Sequence, residues 1–259
     1  MGAVSKVLNR LRPRARTGAA TQAALSEDQI RQVWLCASWL IGYPDDELFD
    51  HLALVEELAG GLPEAVATEL LEVVAQLRGE VQEVRADYVE TFDTRRRGCL
   101  YLTYFSNGDT RRRGMALLKI KEIYRDAGLE VSDAELPDHL SYVLEFGAAH
   151  DLEQARTILL THRAGVELLR LHLTEIESRW AGVLRAVCAT LPALAGDDIE
   201  AVQRLAAQGA PEELVGIGEA ADGSADMPPA DLSPYQLTPA PAPGQPVFVS
   251  LDEVKGLRS

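Results

Sequence analysis

SEDQIRQVWLCASWLI, residues 26–41, sets the class of the fold. Ser26 and Gln29 stand at the spacing of a capping box, in which the serine oxygen takes a first-turn amide and the glutamine reaches back to the serine amide. Behind them Ile30, Val33, Trp34, Ala37 and Ile41 recur at helical intervals and build one apolar face. No alternation of period two recurs elsewhere, and no βαβ unit is visible.

The helical period continues outward. Pro44 ends this helix or starts the next. Leu48, Leu52, Val55 and Leu58 mark a second, short helix closed by Gly60 and Gly61. Pro63 suits the first position of a third, whose stripe is Val66, Leu70, Val73, Val74 and Leu77. Gly79 parts it from a fourth that carries Val81, Val84, Tyr88 and Phe92. Further on, Asn107-Gly108 signals a turn and Asp109 a helix N-cap. The helix that follows carries Ala116, Leu117, Ile120, Ile123, Tyr124 and Ala127 and stops at Gly128. ELPDHL opens another, with Leu140, Val143, Leu144 and Gly147 inward. One long helical pattern runs from Asp151 or Thr161 to Cys188, and a weak last helix covers 197–208. The expectation is an all-α fold, a single-domain helical bundle over residues 26–208. A basic disordered tail (1–25) precedes it. An acidic Pro/Ala-rich tail (209–259) follows, holding eight of the 13 prolines and ending in the short apolar segment PVFVSLDEVKGL.

Composition narrows the function. The 259 residues carry 40 acidic against 25 basic side chains, a net charge of -15, which would repel nucleic acid. Cys36, Cys99 and Cys188 are scattered, which fits a reducing compartment and provides no CxxC for a metal. No apolar run is long enough to span a bilayer, and no apolar stretch follows the basic start as a signal peptide would require. A cytoplasmic protein without stable membrane insertion is expected.

A search for chemistry finds little. His51, His139, His150, His162 and His172 show no metal-binding spacing, and there is no GxSxG elbow or P-loop. Gly216, Gly218 and Ala221 match GxGxxA by letter but follow no strand. Asp138-His139 is better explained by the charge preference of a helix start than as an acid–base dyad. Neither an enzyme nor a cofactor is expected.

The hexapeptide DTRRRG occurs twice, at residues 93–98 and 109–114. Arg111, Arg112 and Arg113 fall in a first helical turn, where the macrodipole disfavours cations. Carboxylates such as Asp93, Glu135, Asp138 or Glu145 could offset this, and so could a bound phosphate. Between the copies Leu100, Tyr101, Leu102, Tyr104 and Phe105 occupy what should be a connection, since Gly98 and Asn107-Gly108 bracket it. So much apolar surface in a loop packs into the core or binds something.

At these residues the chain resembles the delta-subunit family of respiratory nitrate reductases, within the wider group of helical redox-enzyme maturation chaperones. The resemblance rests on YVETFD beginning at Tyr88, on Leu100-Tyr101-Leu102, and on Gly108-Asp109 with Arg111 and Arg113-Gly114. It continues through ELPDHL, beginning at Glu135, and Leu144-Glu145-Phe146. Order and spacing agree over residues 88–146, and the flanking helices agree in kind.

The resemblance implies an all-α chaperone that is not an enzyme. Such a protein binds the apo catalytic (alpha) subunit of nitrate reductase, chiefly at its N-terminal segment. It keeps that subunit competent for molybdenum cofactor insertion and is absent from the final enzyme. The proteins that synthesise the cofactor are further partners. A groove for that segment needs apolar anchors and acids. Tyr88, Phe92, Tyr101, Tyr104, Phe105 and Phe146 are candidates for the first, and Asp138, His139 and Glu145 for the polar contacts. Asp109, Arg111 and Arg113 are a candidate structural ion-pair set. Two other readings stand beside this one: a maturation chaperone for another molybdenum oxidoreductase with a twin-arginine leader, and a helical regulator that senses an anion or nucleotide through the arginines.

Overall fold

The computed structural model describes residues 25–108, 110–129 and 136–210. Residues 1–24 and 211–259 of the two tails lie outside that range, as do Glu135 of ELPDHL and Asp109. Among the described residues eleven α-helices follow one another, with no strand. They are α1 Glu27–Leu40, α2 Asp46–Gly60, α3 Glu64–Leu77, α4 Val81–Tyr88, α5 Leu102–Asn107 and α6 Arg111–Asp126, then α7 Leu140–Ala149, α8 Leu152–Thr161, α9 Arg163–Glu175, α10 Ala181–Ala189 and α11 Gly196–Gln208. A π-helical turn, Val89–Asp93, and a 3-10 turn, Arg96–Gly98, join α4 to α5.

α1 is the central helix. Its capping box forms as the spacing predicts, with Ser26 and Gln29 bonded reciprocally. From Val33 to Leu40 every residue is buried, because α7, α10, α2 and α3 all pack on it. Trp34 shows how the core closes. Its ring is inaccessible, its Nε1 donates to Thr190 Oγ1 at 2.8 Å, and α7 approaches it through Gly147, where a methyl would strike the ring. Arg31 completes the α1–α7 contact by donating to the carbonyls of Gly147 and Ala148 at the C-terminal end of α7.

Three expectations change. Pro63 stands one residue before α3 rather than at its first position. The long helix expected up to Cys188 is three helices, α8, α9 and α10. The first break falls at His162, whose backbone leaves helical geometry and whose ring meets Ser106 Oγ at 3.1 Å. The second follows Ile176. There Glu177 takes a left-handed conformation, φ 52°, and the amides of Glu177 and Ser178 fold back on the carbonyls of Thr174 and Leu173 in a Schellman pattern.

The third change is the stretch between the repeats. It is not a connection but contains a helix, α5, of which Leu102, Thr103 and Phe105 are buried. Phe105 lies against α9, where Gly165 admits it. A Cβ on Gly165 would come within 2.8 Å of the Phe105 side chain. The repeat itself divides structurally. The first DTRRRG spans the end of the π turn and the 3-10 turn, and the second, from Arg111, begins α6. A methyl on Gly98 would collide with the Thr91 carbonyl, whereas Gly114 has nothing within 4 Å.

Candidate functional site

The segments 100–102 and 138–140 run antiparallel past each other as one isolated bridge, Tyr101 against His139. Leu102 donates to the Asp138 carbonyl (3.0 Å) and Leu140 to the Leu100 carbonyl (2.9 Å). Tyr124 Oη on α6 adds a bond to the Pro137 carbonyl at 2.9 Å. The start of α5 and the start of α7 are thereby locked together, and their side chains share one face.

Asp138 is wholly buried beneath that face. Its Oδ2 accepts the Thr103 amide at 3.0 Å and the Thr103 hydroxyl at 2.6 Å. Arg113 Nε in turn donates to the Thr103 hydroxyl at 3.4 Å, so the guanidinium reaches Asp138 through Thr103. The Arg113 charge stands 5.6 Å from the ring centre of Tyr101 and 5.9 Å from that of Tyr104, a double cation–π contact. This contact offsets part of the macrodipole cost of a cation in the first turn of α6. The Thr110 side chain makes no capping bond there.

His139 sits against Tyr101 (5.2 Å between ring centres) and Tyr142 (5.3 Å). Its Nδ1 lies 2.7 Å from Ser141 Oγ and accepts the Ser141 amide at 3.3 Å, so the imidazole caps α7. Burial pushes this histidine down to about 4, which keeps Nδ1 free to accept. Tyr101 titrates above the ordinary phenol value, first through burial and then through Asp138.

The sequence-predicted residues separate into two groups. Tyr101, Tyr104 and His139 meet on the partly exposed face around Arg113. Tyr88, Phe92, Phe105 and Phe146 are core residues. Tyr88 and Phe92 pack on Trp180 at 5.4 and 5.2 Å, Tyr88 Oη donates to the Ile41 carbonyl, and Phe146 packs edge-on against Tyr124. Asp138 underlies the face and Glu145 is half-buried on α7. Arg111 is exposed, and its pairing with Asp109 falls outside the described residues.

Two further tyrosines escape sequence reasoning. Tyr43 is 43% exposed with its ring 5.4 Å from Tyr88, and Tyr142 adjoins His139. The signal for Tyr142 was its place beside ELPDHL. Tyr43, in the turn before Pro44, carried none. Burial above all raises the Tyr88 phenol, and the charges of Asp93, Tyr101, Tyr142 and Tyr43 raise it further. Two concavities, of about 240 and 320 Å³, are lined by none of the predicted residues. No group of three metal-ligating side chains occurs among the described residues, and no described helix is long and apolar enough to cross a membrane.

Residues 56–186 match the model of the family described as nitrate reductase delta subunit, a span that contains every predicted site residue. The chain is similar to the nitrate reductase-like protein NarX of Mycobacterium tuberculosis, 37% identical over 174 residues, which are 67% of this chain and 26% of that protein. It is 34% identical over 166 residues to the probable nitrate reductase molybdenum cofactor assembly chaperone NarJ of Bacillus subtilis (62% of this chain, 89% of that one). It is 32% identical over 148 residues to the nitrate reductase molybdenum cofactor assembly chaperone NarJ of Escherichia coli (56% and 63%). The chain thus spans about a quarter of the length of NarX.

Proposed function

Because the chain belongs to the nitrate reductase delta subunit family, we propose that it is a cytoplasmic chaperone for assembly of the molybdenum cofactor into a nitrate reductase. Its client is the apo catalytic (alpha) subunit, held chiefly by that subunit's N-terminal segment on the face of Tyr101, Tyr104, Arg113, His139 and Tyr142. The cofactor is the client's and not the chaperone's, and no catalytic group is needed. The proteins that synthesise the cofactor meet the client while it is held.

One observation carries the site: half-exposed tyrosines gather around Arg113 on segments locked by the 100–102/138–140 bridge. Tyrosines present apolar area with few rotors to freeze and a polar tip, which suits a surface that binds and then releases. The exposed Asp93 carboxylate near Tyr101 supplies a contact for a basic client residue. The relatives' names support the same role, since those from B. subtilis and E. coli are described as molybdenum cofactor assembly chaperones.

Calorimetric titration with a peptide from the N-terminus of the host's own nitrate reductase catalytic subunit tests this. A micromolar Kd, about -8 kcal/mol, is expected for the intact chain. Tyr104→Ala and Tyr101→Ala each weaken it about tenfold, as loss of an interface aromatic does, while the helical circular-dichroism signal is unchanged. Equal binding by both variants would move the site elsewhere. Binding instead to a twin-arginine leader from another molybdenum oxidoreductase would reassign the client.

A further inference from the structure

The helix α6 joins the bundle along one narrow edge. Of its sixteen residues only Ile120 and Tyr124 are buried, and its main helix contact is the short α5. Met115 and Leu118, one helical turn apart, are 61% and 54% exposed, more than any other large apolar side chain among the described residues. The charge around them is reversed relative to the whole molecule. Arg111, Arg112, Arg113, Lys119, Lys121 and Arg125 against Glu122 and Asp126 leave six minus two, or +4, on a chain of net charge -15.

An apolar strip ringed by cations calls for an apolar, acidic occupant. Two copies of α6 face to face would set like charges together, and a basic leader peptide would be repelled. The chain itself carries the complementary segment. Residues 211–259 hold eight acids (Glu212, Glu213, Glu219, Asp222, Asp226, Asp231, Asp252, Glu253) against Lys255 and Arg258, a balance of -6. Within them PVFVSLDEVKGL, residues 246–257, places Val247, Phe248, Val249 and Leu251 directly before Asp252 and Glu253.

We propose that residues 246–257 dock on the Met115–Leu118 strip of α6, with Asp252 and Glu253 against its arginines and lysines. Reach is sufficient. Thirty-five residues separate Ala210 from Pro246, and a chain of that length spans up to ~115 Å, several times the radius of gyration of ~16 Å expected for a domain of this size. The tether starts on the correct side, because α11 packs on α9 and α9 also contacts α5, the helix from which α6 departs. Tethering also gives the segment an effective concentration of ~1 mM, an advantage a free acidic peptide lacks.

Photo-crosslinking in the full-length chain decides the matter. Leu118 is replaced by p-benzoylphenylalanine, the protein is irradiated, and the crosslinked peptides are identified by mass spectrometry. The expected product is an intramolecular link to residues 246–257, with a yield that does not change on dilution. The yield falls at least about tenfold with Leu251→Asp, the size of one lost leucine contact, and also falls at high salt. Phe248→Asp serves as a second variant, and neither residue lies in a described helix, so the circular-dichroism spectrum stays the same. A link between two chains whose yield rises with concentration would replace the tail by a second copy and overturn the proposal. A link to another segment, or no link at all, would overturn it as well.

Discussion

Asp138 caps α5 from thirty-five residues beyond Thr103: its Oδ2 takes both the amide and the hydroxyl of Thr103, at 3.0 and 2.6 Å. The local sequence of α5 supplies no cap, since Tyr101 stands at the N-cap position without a side-chain bond. The second Asp138 oxygen is buried without a hydrogen-bond partner, so the carboxylate is desolvated chiefly for Thr103. Removing it strands two buried donors. Asp138→Ala should cost about 3 kcal/mol, and Thr103→Val, which keeps the amide and the shape, about 1.5 kcal/mol. Urea unfolding of both variants and of the double variant is the check. Strictly additive losses would mean that the two residues do not act as a pair.

The acid limb of stability should carry the signature of His139. Its folded pKa is about 4 against an ordinary 6.5, so between those values the unfolded chain binds the extra proton. Stability is therefore fully present above about pH 6.5 and is lost as pH falls toward 4. The loss is up to about 3 kcal/mol. His162 and His172, also lowered by burial, act in the same direction. His139→Asn keeps an acceptor for the α7 start without a titrating ring. Denaturation midpoints for this variant should be flatter between pH 4 and 6.5 than those of the native chain. An unchanged slope would assign the acid limb to other groups.

Glu177 occupies a left-handed position, φ 52°, where glycine normally ends a helix. An L side chain there carries a conformational cost of about 1–2 kcal/mol. Glu177 is exposed and its role is backbone geometry. Glu177→Gly should therefore raise stability by about 0.5–1 kcal/mol after the greater entropy of an unfolded glycine is counted. Thermal unfolding measures this, and a lower Tm would show that the carboxylate makes a contact worth more than the strain.

Legibility in the sequence followed the range of the interaction. α1 could be read because cap and apolar period lie within a few residues, and α3 from its apolar period alone; Ser26, Gln29, Leu70 and Leu77 behave as their spacing requires. α5 could not, because its cap is supplied by Asp138 from a distant segment. The break after α9 was hidden for a different reason: glutamate stands where glycine would have marked it. The aromatic motif was located correctly as a region, but residue type alone could not sort it. Tyr88, at the end of α4, and Phe92, in the π turn that follows it, enter the core, whereas Tyr101 and Tyr104 stay at the surface around Arg113. Tyr43 meets the buried Tyr88 only through tertiary packing.

The charges inside α9 should respond unequally to removal. Glu167, 2% exposed, accepts Nε and Nη2 of Arg163 on one oxygen, at 3.1 and 2.7 Å, and Nε of Arg170 on the other, at 2.7 Å. Arg163 is itself 6% exposed, and its Nη1 is buried without a hydrogen-bond partner. Glu167→Gln sets an amide N–H₂ against one of the two guanidiniums and leaves two cations with no countercharge. The cost should be about 3–5 kcal/mol, as for a broken buried pair. Arg163→Met removes a desolvated charge together with its unpartnered nitrogen, and Glu167 still holds Arg170. Its cost should be under about 1 kcal/mol, and replacement of a buried ion by an apolar side chain can be neutral or favourable. Equilibrium unfolding of the two variants at neutral pH separates the cases. Equal losses would mean that the Arg163 bonds contribute as much as the carboxylate does, and that the unpartnered Nη1 carries no penalty.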